Sequence, residues 1–283
     1  MNPKQILSTV IISLTACFSA ESSDKKEYSL FHPTPIELMR EMSTDRPDKT
    51  ESPYTIDAGH IQIESSLIDY TYNHDDPTEP QARVDAFSVL PTNIKTGLSN
   101  NVDLQLVISP YIHEITRDDG IDEKKRGFGD FQTRLKVNLW GNDEGKTAFA
   151  IMPFVKFPTN TDNLGNDAVE GGVIFPLAVE LPADWSMGLM AEFDFNENSS
   201  EDDYHTEFIH SITLGHTIVG ELSGYVEFFS NISSEEDAKW VSTVDTGLTY
   251  ALNKDVQLDL GVNIGVTRAA DDLNPFCGLS MRY

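Results

Sequence analysis

Cysteine is almost absent: Cys17 and Cys277 are the two in 283 residues. Cys17 falls in a segment that reads as an export signal, so the chain has no disulfide framework, and two thiols cannot build a zinc cluster. Positive charge is scarce as well. Lys and Arg total 20 against 46 Asp and Glu, a formal charge of −26, which repels nucleic acid phosphates and rules out nucleic acid as a natural partner. Past the N-terminus no apolar run approaches the 18 or so residues that a membrane-spanning helix needs, which excludes a helical membrane protein. The seven histidines, His32, His60, His74, His113, His205, His210 and His216, form no HExxH pattern. No metal site and no cofactor are expected.

What is present begins with MNPKQILSTVIISLTACFSA, one Lys followed by an apolar stretch from Ile6 to Leu14 and then small residues. Residues 1–20 read as a secretory signal peptide. Two processing readings compete: cleavage after Ala20, or a lipobox at Leu14-Thr15-Ala16-Cys17 that would leave Cys17 as a lipidated first residue. Either way the chain is exported. Residues 21–58 are polar, Pro-bearing and aperiodic, an irregular lead-in.

From residue 59 onward the pattern is alternation. VQLDLGVNIGV, Val256 to Val266, sets Val256, Leu258, Leu260, Val262, Ile264 and Val266 on one face and Gln257, Asp259 and Asn263 on the other, the period of a strand with one apolar side. About twelve such segments recur to Tyr283, none followed by an amphipathic helix. The connections alternate long and short, the long ones including 71–82, 114–126, 158–168, 196–204, 232–239 and 268–273. Tight turns at one end and long loops at the other are the signature of a transmembrane barrel, with both termini on the periplasmic side when the strand count is even. The expected fold is therefore all-β, a transmembrane antiparallel up-and-down β-barrel of about twelve strands over residues 59–283, in a bacterial outer membrane.

The faces agree. Leu135, Val137 and Leu139 alternate with Gln132, Arg134, Lys136 and Asn138; Met187, Leu189, Phe193 and Phe195 oppose Glu192 and Asp194. A dry interior would not hold so many unpaired charges, so the polar face must look into a lumen and the apolar face at lipid. Tyr70, Tyr72, Tyr111, Trp140, Phe157, Trp185, Tyr204, Trp240, Tyr250 and Tyr283 flank the turns, as interfacial girdles do.

Four stretches, STDRPDKTESPYTIDAGHIQIE (43–64), LKVNLWGND (135–143), AIMPFVKFPT with EGGVIFPLAVELP (150–182) and QLDLGVNIGVTRAADDLNPFCGLSMRY (257–283), together resemble the outer-membrane transporters grouped as the MetA pathway of phenol degradation family. The resemblance covers most of residues 40–283 and implies an outer-membrane β-barrel with a channel role. It carries over no substrate.

A lipid hydrolase of this architecture needs a Ser and a His on the lipid-facing side within hydrogen-bond reach, with an orienting third group. His210 is outward by alternation, but its neighbour Ser211 points the other way, and His216 lacks a clear outward Ser. Enzyme chemistry is set aside unless the fold brings an outward Ser to either histidine. Acid pairs in the long loops, Asp75-Asp76, Asp118-Asp119, Glu201-Asp202-Asp203, Glu235-Glu236-Asp237 and Asp271-Asp272, read first as a solvated anionic rim, and alternatively as sites where divalent cations bridge to lipopolysaccharide phosphates.

The lumen is the expected site. Glu64, Asp103, Arg134, Lys136, Lys156, Glu170, Glu180, Glu192, Asp194, Glu207, Glu227, Asp245, Asp259 and Arg282 are inward by alternation, and acids outnumber bases among them. An open bore of this kind favours cations or neutral solutes; the same side chains, paired, would brace a closed one. Arg46, with Asp45, Asp48 and Glu51, is placed to enter from below as a plug, held extended by Pro47 and Pro53. The expected function is a channel or transporter for small solutes, aromatic or other small organic compounds among them. The alternative is a structural or interaction barrel with a closed lumen. Expected partners are outer-membrane lipid and lipopolysaccharide, the barrel assembly machinery that reads a terminal aromatic strand such as the one ending at Tyr283, and the solute.

Overall fold

A computed structural model describes residues 25–74, 83–118, 121–198 and 203–283. The expected signal peptide, Cys17 and the acid pairs at 75–76, 119 and 201–202 lie outside the described residues.

Among the described residues fifteen strands form one antiparallel sheet: β1 (Ile61–Asn73), β2 (Arg83–Val89), β3 (Thr92–Ser99), β4 (Val102–Ile108), β5 (Tyr111–Asp118), β6 (Ile121–Gly127), β7 (Phe131–Trp140), β8 (Thr147–Phe157), β9 (Glu170–Glu180), β10 (Trp185–Glu197), β11 (Tyr204–Val219), β12 (Leu222–Ser233), β13 (Val241–Asn253), β14 (Val256–Gly265) and β15 (Leu273–Arg282). The last strand pairs with the first, with Gln62 opposite Arg282, so the sheet closes on itself. Three pairs of strands are halves of single staves. β1 pairs with β3 over its first residues and with β2 over its last, and β4 with β5 and β6 with β7 divide in the same way. The breaks fall at Leu90-Pro91, at Ser109-Pro110 and at 128–130. Proline cannot donate to a ladder, and Leu90 takes a positive φ of 57°, so pairing stops there and resumes beyond. Joining the halves gives a closed barrel of twelve staves.

Five short connections lie at one end: 100–101, 141–146, 181–184, 220–221 and 254–255. The long ones lie at the other, with one correction. The stretch 114–126, expected as a loop, is mostly strand, because β5 runs to Asp118 and β6 starts at Ile121. Its charged residues hide the alternation that identifies the other staves. The resulting hairpin stands beyond the neighbouring stave, since β6 pairs only with β5 while β8 ends at Phe157.

The faces divide as the alternation requires. On β14, Leu260 is 56% exposed and Asp259 beside it 5%. Outside, the apolar band is bounded by Trp140, Trp185, Tyr250 and Tyr283 toward the short turns and by Tyr70, Tyr111, Phe157, Tyr204 and Trp240 toward the long loops, all exposed. Inside, most buried side chains are polar, including Gln62, Lys95, Asp103, Gln105, Lys136, Glu227 and Asp245. An apolar strip interrupts them, Met152, Phe154, Ile174, Met190 and Ile209 on the inner face of β8 to β11.

Candidate functional site: the lumen and its N-terminal loop

The inner wall is polar because something polar fills it. Residues 25–60 thread the short-turn end, and residues 43–52 form a loop deep in the lumen. The loop does not run extended, as Pro47 and Pro53 suggest. Asp45 Oδ1 accepts from Ser52 N (2.9 Å), and the Ser43 and Ser52 hydroxyls meet at 2.8 Å, so the ends of the loop are tied together. Short polar side chains bonding the backbone across a turn favour this compact form.

Once closed, the loop places its charges against complementary wall groups. Asp45 lies between Lys136 (2.9 Å) and Lys95 (2.5 Å), while its backbone N–H donates to Glu64 Oε2 (3.0 Å) and Lys95 also pairs with Glu64. Arg46 Nη2 reaches Asp259 Oδ1 at 2.6 Å, and its Nη1 donates to Ser66 Oγ at 2.9 Å. Lys49 lies 3.4 Å from Asp245. The backbone N–H groups of Lys49 and Thr50 and the Thr50 hydroxyl all donate to Glu227 (2.9, 2.8 and 2.5 Å). Glu51 pairs with Arg134. Further down, Asp103 accepts from Ile56 N (3.1 Å), and Arg282 donates to the Arg40 carbonyl (2.8 Å) while holding Asp255 (2.8 Å).

The expected inward residues thus sort by height. Glu64, Asp103, Arg134, Lys136, Glu227, Asp245, Asp259 and Arg282 grip the N-terminal segment. Lys156, Glu170, Glu192, Asp194 and Glu207 lie above the loop, toward the long-loop end: Lys156 pairs with Glu170, Glu207 accepts from Asn231 Nδ2 (2.8 Å), and Glu192 has Asp194 and Arg134 as charged neighbours. Glu180 is exposed at the short-turn mouth. Of the loop residues expected to form the plug, Asp45, Arg46 and Glu51 make ion pairs. Asp48 makes none and lies near the Glu227 carboxylate. The idea of arginine against carboxylates therefore describes Arg46 alone, while Asp45 and Glu51 meet bases.

Several members of the network were not singled out from sequence. Lys95 and Gln62 share the parity of Asn93 and Glu64, and Gln105 that of Asp103, so alternation would have found them. The anchor at the mouth had no local signal: Lys25 and Arg40 converge on Asp143 (2.9 and 3.1 Å) and on Asp57 (3.3 and 3.4 Å). Asp143 stands in the turn 141–146. Partial burial raises its pKa, but hydrogen bonds from Asn100 and Lys25 and the charge of Arg40 outweigh this and hold it below the usual carboxylate value.

The loop separates two cavities. One of about 720 Å³ opens toward the short-turn end and is lined by Thr44, Pro47, Asp48, Glu180, Trp185 and Tyr225 among others. Another of about 220 Å³ lies on the far side, against Asp45, Arg46, Glu51, Asp69, Asn93 and Arg134. Opposite faces of one loop form the floor of each.

On the outer wall, Ser230 stands opposite His210 in the ladder and faces the same way. The two make no hydrogen bond. Trp240 Nε1 donates to Ser230 Oγ at 2.8 Å, and His210 Nδ1 is buried without a partner. Among the described residues no three His, Cys, Asp or Glu side chains gather to hold a metal ion.

These features define a class, a transmembrane β-barrel whose lumen is filled by its own N-terminal segment. Residues 44–283 match the family model described as "Putative MetA-pathway of phenol degradation", and the chain belongs to that family. No curated protein matches the chain. Among solved structures, the COG4313 outer membrane channel from Pseudomonas putida F1 is similar at 14% identity and a TM-score of 0.52, covering 85% of this chain and 98% of that one. At that identity the likeness is one of fold. The translocator domain of the autotransporter NalP from Neisseria meningitidis (7% identity, TM-score 0.49, 79% and 88% covered) and the NanC porin (10%, 0.47, 78% and 98%) overlap less closely.

Proposed function

We propose that the chain is an outer-membrane channel for small solutes, shut in this conformation by the loop 43–52. The observation that supports this is the position of that loop between two lumen cavities, held by ion pairs that water can replace once the loop shifts. The wall is predominantly acidic, which favours cations and neutral solutes over anions. The apolar strip of Met152, Phe154, Ile174, Met190 and Ile209 beside the loop suits the flat faces of small aromatic or other organic compounds. The reading assigns no covalent chemistry.

Planar-bilayer recording tests it. The parent chain should conduct rarely, and Arg46→Gln, which removes the hold on Asp259, should raise the open fraction with cation-preferring steps. A second reading, a braced barrel that never conducts, draws on the density of the same ion pairs. Silence in both proteins, with folded barrel confirmed in each, would favour it and defeat the channel reading.

A further inference from the structure

The upper staves carry a feature that the lumen does not use. On β1, β2, β5 and β6 the outward face begins with an aromatic row: Tyr70 lies opposite Phe87, and Phe87 opposite His113, with Phe87 6.1 Å from the ring of Tyr111 and 5.1 Å from that of His113. Tyr70 and Tyr111 are exposed and belong to the girdle on the long-loop side. Cations follow on the same face. Arg126 is opposite His113, Lys124 opposite Ile115 two residues higher, and Arg117 opposite Arg83 above that. A two-residue step along a strand is about 7 Å, so these charges stand at and just above the interfacial ring.

Three observations set this sector apart. Lys124 and Arg126 are exposed and make no ion pair among the described residues. Lys125, on the other face, has a partner of its own in Glu114 (3.8 Å). Arg83 and Arg117 are directly opposed, which is destabilising unless an anion lies between or above them; Asp85 engages Arg117 but also accepts from Tyr70 Oη (2.6 Å), and Asp122, opposite Arg117 on β6, lies 4.0 Å from it, so Arg83 is left without an acid of its own among the described residues. In a chain of net charge −26, four bases gathered on one lipid-facing sector at headgroup depth fit an anionic ligand that the bilayer itself supplies.

We propose that the outward face of β2, β5 and β6 binds a phosphate-bearing lipid headgroup of the outer leaflet, the diphosphorylated glucosamine end of lipopolysaccharide, through Lys124 and Arg126 with Arg83 and Arg117 beside them. The inference rests on the outer-membrane reading. Arg supplies paired donors to phosphate oxygens and Lys a point charge, while Tyr70, Phe87 and Tyr111 lie along the upper acyl chains. This direct contact differs from a divalent bridge to the acidic loops, because it needs no metal ion.

The test uses the folded full chain in detergent, titrated with diphosphoryl lipid A, with dephosphorylated lipid A and with inorganic phosphate. Diphosphoryl lipid A should bind and the dephosphorylated form should not compete. The double variant Lys124→Gln/Arg126→Gln should bind about thirtyfold more weakly, with the difference shrinking as salt is raised, and Lys124→Arg, which keeps the charge, should bind at least as tightly as the parent. Equal binding by the Gln variant, failure of the charge-keeping variant, or equal binding of dephosphorylated lipid A would overturn the proposal. Equal competition by inorganic phosphate would overturn its lipid source. Both side chains are exposed, so heat-modifiable gel migration should report folded barrel in every variant. Insertion of the same samples into liposomes checks the membrane reading separately.

Discussion

Lys136 Nζ lies 2.9 Å from Asp45 Oδ1, joining a wall side chain with no exposed area to a loop carboxylate 91 positions earlier in the sequence. Both side chains are buried while the loop is in place. Leaving one of them alone is therefore far more costly than removing both.

That asymmetry gives the first prediction. Lys136→Met leaves Asp45 with Lys95 alone and should weaken seating of the loop by roughly 3 kcal/mol. The double variant Lys136→Met/Asp45→Asn should recover part of the loss. Hydrogen exchange across residues 43–52 would show it as faster exchange in the single variant than in the double.

The loop can also be locked. Thr50 Oγ1 and Ser211 Oγ are 2.6 Å apart, which brings the two side chains within crosslinking range. Thr50→Cys/Ser211→Cys should form a disulfide on oxidation, silence conductance, and regain it with reductant. Undiminished current through the oxidised protein would show that solute passes without loop movement.

Acid should loosen the mouth. The Asp143 pKa is lower folded than unfolded, so its contribution is full above the ordinary aspartate value of about 4 and is lost as pH falls through the lower folded value. Exchange protection of residues 25–40 should drop over that acidic window, and Asp143→Asn should flatten the pH dependence. An unchanged profile in the variant would remove Asp143 from the anchor.

The lipid-facing band gives a fourth. Leu260→Arg places a guanidinium in the apolar band and should cost about 2–4 kcal/mol if Leu260 lies near the bilayer midplane. Folding titrations into lipid vesicles measure this directly. A neutral result would mean that Leu260 faces something other than hydrocarbon.

Much of this barrel was legible because a period of two cannot be satisfied by both faces at once. Leu260 and Asp259 had to separate, and the side that took the carboxylate had to be wet or paired. Legibility failed where the two faces were alike. On β6, Asp122, Glu123, Lys124 and Lys125 are charged on both sides, so a strand read as a loop. On β8, Met152 and Phe154 are apolar inward, so the lumen strip was invisible. The network of the loop was half legible: Arg46 and Asp259 are 213 positions apart, and no sequence period links them. Only closure of the sheet, with residue 282 beside residue 62, brings such distant groups together.

That closure also imposes an order on assembly. Residues 43–57 precede β1 and end up enclosed by a ring that shuts where β15 pairs with β1. A loop tied to β4, β7, β12, β13 and β14 is most simply enclosed if it is already inside when the ring shuts, like a key sealed in a bottle, because threading it through the finished mouth would first strip every charge of its counterpart. The Arg282 guanidinium on the Arg40 carbonyl makes β15 a latch on the segment that enters the lumen. β15 would then complete the ring and fasten its contents in one movement.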